Sequence, residues 1–526
     1  MAEFPGRDKC KSRVSLSSGD GPASVRCESA EQAEVRVEVH VIREPAVTPM
    51  TERKREICWN YGIPTREAPF AVADRLTLTL RPGSILLLTG PSGSGKSSLL
   101  RAIAEKAGPV VWVNGSRPRS GRSIVDHVAP RRPLATALEI LTACGLGEPR
   151  LWGRAFSDLS DGERFRASLA GAIGKALSAT PPAVVCCDEF TAILHRRLAG
   201  AVAYNLRKLI TRHRLILIVA GTHDDILRDL QADQVVRLAA ADRPAVVVRR
   251  PVRSRAVWLR RRVVIEPGGV RDYQAFAPMH YRHRDGLGFV DKVFLLREQS
   301  TRDPLGILVF AHAPMELSLR NASTGGRFAR NLPRINRELR ILRRLVMHPD
   351  VRGCGLGHWF VRKTLPRVGV RFIECLAAMG MVNPVFERAG MMRVGECPLP
   401  KGRLSLLERL RMWKLDPFSP DFERRVARTP RVQRLIRETV RSWAGAMHGP
   451  MRDKIAGWGA AQLTQSFRHL IGRPPVYYLW DREGEYPLQH PDNSRAAAPS
   501  ARSRKRLDDT DCRTTREKDR HRPERD

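Results

Sequence analysis

The sequence predicts an α/β protein built from two successive α/β units and a helical C-terminal segment, and three observations carry that prediction. Across residues 55–245, strand-length apolar runs at 84–89, 110–114, 183–187 and 215–220 alternate with longer helix-patterned stretches, as in a sheet covered on both faces. A second set of strand-like runs, at 292–297, 306–311, 339–347 and 371–377, falls within residues 260–415 and calls for a sheet of its own. Over residues 420–472, Trp443, Met447, Trp458, Leu463, Phe467 and Leu470 lie at loosely helical spacing, the pattern of a helical core.

A chain of 526 residues exceeds what one hydrophobic core organises, and 42% apolar residues are enough to build more than one. Lys and Arg number 91 against 55 Asp and Glu, a net charge of +36, so anionic partners are expected, nucleic acid or a membrane surface. Most of the cations are Arg, which suits bidentate phosphate contacts, although GC-rich coding also enriches Arg everywhere. No apolar run approaches the ~20 residues that cross a bilayer, so no integral membrane segment is expected. The first residues lack an apolar leader, and the 10 cysteines are scattered without a C-x-x-C pair, which points to a reducing cytoplasm. Residues 1–54 are polar and expected to be largely flexible apart from a strand at 35–42. Residues 416–480 are expected to be helical, and the charged stretch 481–526 disordered.

Gly90, Pro91, Ser92, Gly93, Ser94, Gly95, Lys96 and Ser97 spell G-x-x-x-x-G-K-S, with a strand before them and a helix opening at Ser98. That context gives the loop its chemistry. The glycines let backbone N–H groups approach phosphates closely, Lys96 reaches the β and γ phosphates of ATP, and the Ser97 hydroxyl ligates Mg²⁺. The run 183–187 ends in Asp188 and Glu189, which suit magnesium binding through water and polarisation of an attacking water. Cys186 and Cys187 on that run read as core residues.

Leu159-Ser160-Asp161-Gly162-Glu163, ahead of Asp188, resembles the signature peptide of ABC-type ATPases, and His223, after the run 215–220, resembles their switch histidine. Loop, signature, acidic strand and histidine occur in that family's order. The resemblance implies that Ser160 and Gly162 donate hydrogen bonds to the γ-phosphate held by a partner copy, so a homodimer clamping ATP is expected. It also implies an aromatic stacked on adenine, for which Tyr61 is placed, with Trp59 and Phe70 as rivals. Departures accompany it. No glutamine lies between Ser97 and Asp158, so the family's glutamine loop is missing or replaced, with Asp126 and His127 as candidate substitutes. His195 stands where the family's D-loop aspartate is expected.

The second unit carries Arg352, Gly353, Cys354, Gly355, Leu356 and Gly357 between the strand run 339–347 and a helix expected over 358–365. Exposed N–H groups at the positive end of a helix would receive a pyrophosphate there. With Asn383-Pro384-Val385-Phe386-Glu387-Arg388-Ala389-Gly390-Met391 downstream, this stretch resembles the GCN5-related N-acetyltransferases, abbreviated GNAT. The resemblance implies acetyl-CoA bound by 352–357 and Asn383. Phe386 stands where that family often has a proton-donating tyrosine, and Glu374 and Glu338 are candidate general bases. His280, Tyr281 and His283 read as a polar surface loop.

The whole chain resembles a poorly characterised prokaryotic family in which an ABC-type ATPase is fused to a GNAT domain. The implied function is ATP hydrolysis coupled to acetyl transfer, on nucleic acid or a nucleic-acid-bound protein. The alternative is a non-transport ABC clamp whose GNAT domain only binds a ligand; a transporter ATPase with a membrane partner ranks below both.

Overall fold

The computed structural model describes residues 34–44, 48–65, 69–115, 121–239, 245–249, 258–280, 286–398, 402–444 and 455–484. In the first unit, β1 (Val35–Arg43) and β2 (Phe70–Leu80) pair as an antiparallel ribbon. A six-stranded sheet contains β3 (Ile85–Thr89), β4 (Val110–Trp112), β5 (Val184–Cys187), β6 (Ile216–Gly221), β7 (Gln234–Arg237) and β8 (Val246–Arg249), in the order β4-β5-β6-β3-β7-β8. Only β8 joins it antiparallel.

All five residues of β3 are buried, because a central parallel strand is covered on both faces. Ile85 and Leu87 face one core with helices Asp161–Ser178 and Arg196–His213, while Leu86 and Leu88 face the other with helix Lys96–Lys106 and the ribbon. β1 therefore belongs to the ATPase layer, although residues 1–54 were expected to lie outside it: Val37 and Val39 are buried in the same core as Leu86.

The second sheet contains β9 (Val263–Gly268), β10 (Val290–Glu298), β11 (Pro304–Ala311), β12 (Leu339–Met347), β13 (Phe372–Ala377), β14 (Met392–Glu396) and β15 (Val476–Asp481), in the order β14-β15-β13-β12-β11-β10-β9. Its neighbours are antiparallel except β12 and β13. β15 departs from the expectation of a purely helical 416–480 region: Val476, Tyr477, Tyr478 and Leu479 are fully buried between β13 and β14. The helices Arg403–Met412, Phe422–Arg428, Pro430–Ala444 and Ala460–Ile471 thus form an insertion between β14 and β15. They have their own core, which includes Leu410, Phe422, Ile436, Leu463 and Phe467. Trp458 and Leu470 pack against its edge, whereas Met447 and most of 481–526 lie outside the described residues.

The two units pack through helix Arg196–His213. Its Val202, Leu206 and Ile210 enter the ATPase core, while Ala201 shares a core with Leu305, Val351 and Cys354 of the second unit. Among the described residues, no helix is long and apolar enough to cross a membrane.

Candidate functional site

The 90–97 loop joins the end of β3 to helix Lys96–Lys106, and its glycines are structurally required. Gly93 and Gly95 have φ of 80° and 89°, and a Cβ on Gly95 would sit 2.7 Å from Val72. At Gly90 a Cβ would come within 2.4 Å of the Leu238 carbonyl. The Lys96 ammonium donates to the carbonyls of Gly90 (2.9 Å) and Pro91 (2.6 Å), which hold it over the loop. Burial pulls its pKa below the usual lysine range, and the nearby Asp188 carboxylate opposes that shift. The Ser94 hydroxyl is buried in the loop without a hydrogen-bond partner. Together these features fit an anion cradle. Ser97 and Ser98 lie in the first turn of the helix, whose N–H groups have no intrahelical acceptors.

Asp188 follows β5, and its Oδ1 accepts the Glu189 N–H at 3.0 Å. Glu189 is exposed and has φ of 50°, a strained conformation for a non-glycine residue of the kind that clusters at functional sites. His223 is exposed just past β6. Its neighbour Asp224 accepts a 2.6 Å hydrogen bond from Thr89 Oγ1, tying the β6 segment to the strand that enters the 90–97 loop.

Ser160 caps helix Asp161–Ser178 in a capping box with Glu163: Ser160 N and Oγ donate to Glu163 Oε2 at 2.9 and 3.0 Å. That reciprocal cap accounts for a glutamate at the end of the signature-like peptide. A Cβ on Gly162 would be 3.7 Å from Leu194, so this turn packs on the segment leading to His195.

Tyr61 is 75% exposed on helix Glu52–Tyr61, which buries none of its residues. Phe70 is the aromatic linked to the loop: the Arg43 guanidinium lies 5.7 Å from its ring centroid and donates to Gly93 O at 3.1 Å. Asp126 is exposed and takes the Ser123 hydroxyl within its own helical turn. β4 pairs with β5 only as far as Trp112↔Cys186, and Asn114 lies in the turn beyond it.

In the second unit, β12 and β13 pair only from Leu339↔Phe372 to Leu342↔Cys375. Both strands then continue apart, and residues 342–347 and 375–379 line a cleft of about 620 Å³ that also reaches helices Leu134–Ala143 and Arg196–His213. Backbone groups released from pairing on these strands can bond an extended, amide-bearing ligand. The 352–357 turn borders the cleft. Gly353 and Gly355 both have φ of 80°, and Gly355 is the N-cap of helix Leu356–Thr364. Asn383, Val385 and Phe386 line the same cleft, while Cys354 and Leu356 are buried beneath the turn.

Arg352 locks the turn. Its Nε donates to Met347 O (3.0 Å), Nη1 to Gly147 O (3.3 Å) and Nη2 to Met279 O (2.9 Å), with Glu148 at 3.8 Å. Neither candidate base faces the cleft. Glu374, on β13, is fully buried against Arg320 (3.3 Å) and accepts from Tyr477 Oη (3.0 Å); burial pushes its pKa up to about 7 against those partners. Glu338 is held by Arg327 at 2.7 Å. Strand alternation explains Glu374, since its neighbour Cys375 takes the cleft side. Phe386 packs on Tyr478 of β15, with ring centroids 5.3 Å apart, and the Tyr478 hydroxyl donates to Glu387 (2.8 Å). His280 lines the cleft, whereas Tyr281 and His283 lie outside the described residues. Among the described residues, no cluster of His, Cys, Asp and Glu could hold a metal by itself.

Comparison with known proteins falls on the first unit. The family described as "AAA ATPase domain" matches residues 66–249. The cytochrome c biogenesis ATP-binding export protein CcmA of Rhodospirillum rubrum is 33% identical over 185 residues, covering 30% of this chain and 75% of that protein. The lipoprotein-releasing system ATP-binding protein LolD of Novosphingobium aromaticivorans is 32% identical over 200 residues, covering 31% of this chain and 85% of that protein. Among solved structures, the dimeric bacterial ABC transporter cassette MJ0796 matches at 18% identity with a TM-score of 0.27, covering 34% of this chain and 90% of that one. The loop, acidic strand and signature-like peptide lie within the matched residues 66–249, and with relatives 33% and 32% identical the chain belongs to the ABC-type ATPases.

Proposed function

We propose that this ABC-type ATPase closes as a homodimer on ATP and Mg²⁺, and that its second unit is a GNAT-like domain that binds acetyl-CoA and transfers the acetyl group to an amine on or near nucleic acid. In the first unit, the phosphates lie against 90–97 and Ser98, with Lys96 as the cation and Ser97 and Asp188 holding magnesium. Glu189 polarises the attacking water, His223 senses the γ-phosphate, and Ser160 and Gly162 of the partner copy complete the site. Phe70 is better placed than Tyr61 to meet the base, and Asp126 and His127 remain the candidate substitutes for the missing glutamine.

The observation that carries the second half of the proposal is the 352–357 turn at the mouth of the β12–β13 cleft. It presents the N–H groups of a helix N-terminus to a pyrophosphate, while the parted strands present backbone groups to the amides of the pantetheine arm. In the transfer, the amine nitrogen bonds the thioester carbonyl carbon, the C–S bond breaks, coenzyme A leaves as the thiolate and the amine gives up a proton. The charge of +36 supports an anionic partner.

The positions of Glu374 and Glu338 favour a second reading, in which the domain binds the coenzyme without transferring its acetyl group. Titrating the full chain with acetyl-CoA and following label from acetyl-CoA onto co-purified nucleic acid or protein separates the two. Binding with transfer supports the first, binding without transfer supports the second, and no binding removes both.

A further inference from the structure

The cleft is not closed by its own unit. Glu139 and Thr142 of helix Leu134–Ala143, with Asn205, Lys208 and Arg212 of helix Arg196–His213, line it from the ATPase side. The contact is close: a Cβ on Gly353 would lie 2.9 Å from Asn205 Nδ2 and 3.2 Å from Thr142 Cγ2. Asn205 Nδ2 donates to Arg352 O (3.0 Å), and Lys208 Nζ donates to Gly353 O (2.7 Å). Asn205 is only 2% exposed, and its Oδ1, beside the Cys354 thiol, accepts no hydrogen bond of normal geometry.

Charge points the same way. Arg352 is committed to three backbone carbonyls, and Lys208, from the other unit, reaches over the turn to Gly353 O while lying 4.9 Å from the Tyr204 ring centroid. Arg343, Arg344 and Arg388 also line the cleft, and Arg260 reaches His358 at 3.2 Å. Arg212, on the same wall, is paired with Glu139. Burial, then Arg260, Arg388, Arg362 and Lys208, push the His358 imidazole down to about 4. Such a concentration of positive charge suits a ligand with several phosphates.

The helix that supplies Lys208 is tied to the ATPase machinery. Its N-cap is His195, in the segment that follows Glu189, and Arg196 pairs with Asp225 (2.6 Å), close to His223. Arg207, next to Lys208, bonds Asp233 (2.6 Å), which accepts the Ile85 N–H (2.7 Å) at the root of β3. An 18-residue helix spans about 27 Å and moves as a rigid element.

We propose that the cleft is a composite site in which Lys208 of the ATPase helix binds the phosphates of a coenzyme A-type ligand, so that occupancy of the cleft and of the ATP site are coupled through that helix. This rests on the acetyl-CoA reading of the cleft, and the test separates the two.

Acetyl-CoA is titrated into the full chain with and without a saturating non-hydrolysable ATP analogue. The expected result is a shift in acetyl-CoA affinity of about tenfold between the two, in the range typical of coupled sites. Lys208→Gln is expected to weaken acetyl-CoA about tenfold and abolish the shift, with ATP affinity unchanged, while Lys208→Arg retains binding. Wild-type affinity and coupling in Lys208→Gln overturn the proposal. The same titration with adenosine 3′,5′-bisphosphate, the ATP site blocked by the analogue, serves as a control. If acetyl-CoA fails to bind but the bisphosphate binds in a Lys208-dependent way, the acyl-carrier reading falls and the composite phosphate site stands. If neither binds, both fall.

Discussion

The turns at 90–97 and 352–357 share a plan and differ in where they find their positive charge. Each leaves a strand, passes through left-handed glycines, and starts a helix at a glycine N-cap, Gly95 with φ of 89° and Gly355 with φ of 80°. In the first, Lys96 sits on the loop's own helix and folds back over the loop's carbonyls. In the second, the local cation, Arg352, is locked on Met347, Gly147 and Met279, and a lysine from the ATPase layer stands over the turn instead. A loop that carries its own cation can work in an isolated unit. If the second turn binds the proposed coenzyme, a loop that borrows its cation binds only when the two units are packed together.

Breaking each turn separately tests that contrast. The largest effect is expected at Lys96: Lys96→Ala should weaken ATP binding at least about a hundredfold, since a charge-assisted phosphate contact is lost, and should leave acetyl-CoA bound. Equilibrium binding of a fluorescent ATP analogue checks it. Glu189→Gln should lower ATP hydrolysis about 10²- to 10³-fold with ATP affinity retained and a dimer that persists in ATP, read by phosphate release and light scattering. Gly355→Val should weaken acetyl-CoA about tenfold or more without altering ATP hydrolysis. It forces a β-branched residue to φ of 80°, 3.3 Å from His358 Cε1, at a cost of about 1–3 kcal/mol.

A smaller effect is expected from pH. His358 stays neutral in the folded chain down to about pH 4, whereas an ordinary unfolded histidine protonates below 6.5. The stability it contributes is therefore present above pH 6.5 and lost as pH falls from 6.5 to 4. His358→Gln should flatten that part of the acid-unfolding profile, measured by denaturant titration across this window. The smallest effect separates the two aromatics: Phe70→Ala should weaken ATP about threefold and Tyr61→Ala should leave it unchanged, in keeping with the modest worth of one ring contact.

The first unit was the more legible in the sequence because its evidence is local. Unbroken apolar runs mark β3, β5 and β6 as strands buried on both faces, and the residues that follow β3 and β5 carry the loop and the paired acids. The signature-like peptide is also a self-contained capping box. In the second unit β10 to β13 and the 352–357 turn were legible for the same reason. β15 was not, although Val476-Tyr477-Tyr478-Leu479-Trp480 is rich in strand-favouring residues, because its partners β13 and β14 lie beyond a helical insertion and nothing local reports such a pairing. Glu374 looked like a base until strand alternation turned it toward Arg320. Asn205 and Lys208 carried no signal at all: they sit inside an ordinary amphipathic helix, and only the packing of the two units brings them to Arg352 and Gly353.

The most direct test of the account is the affinity of the full chain for acetyl-CoA, measured by calorimetry with the ATP site empty and then saturated by a non-hydrolysable analogue. Binding in both states is expected, with a difference of about tenfold between them. No acetyl-CoA binding in either state, in protein shown to bind ATP, would contradict it.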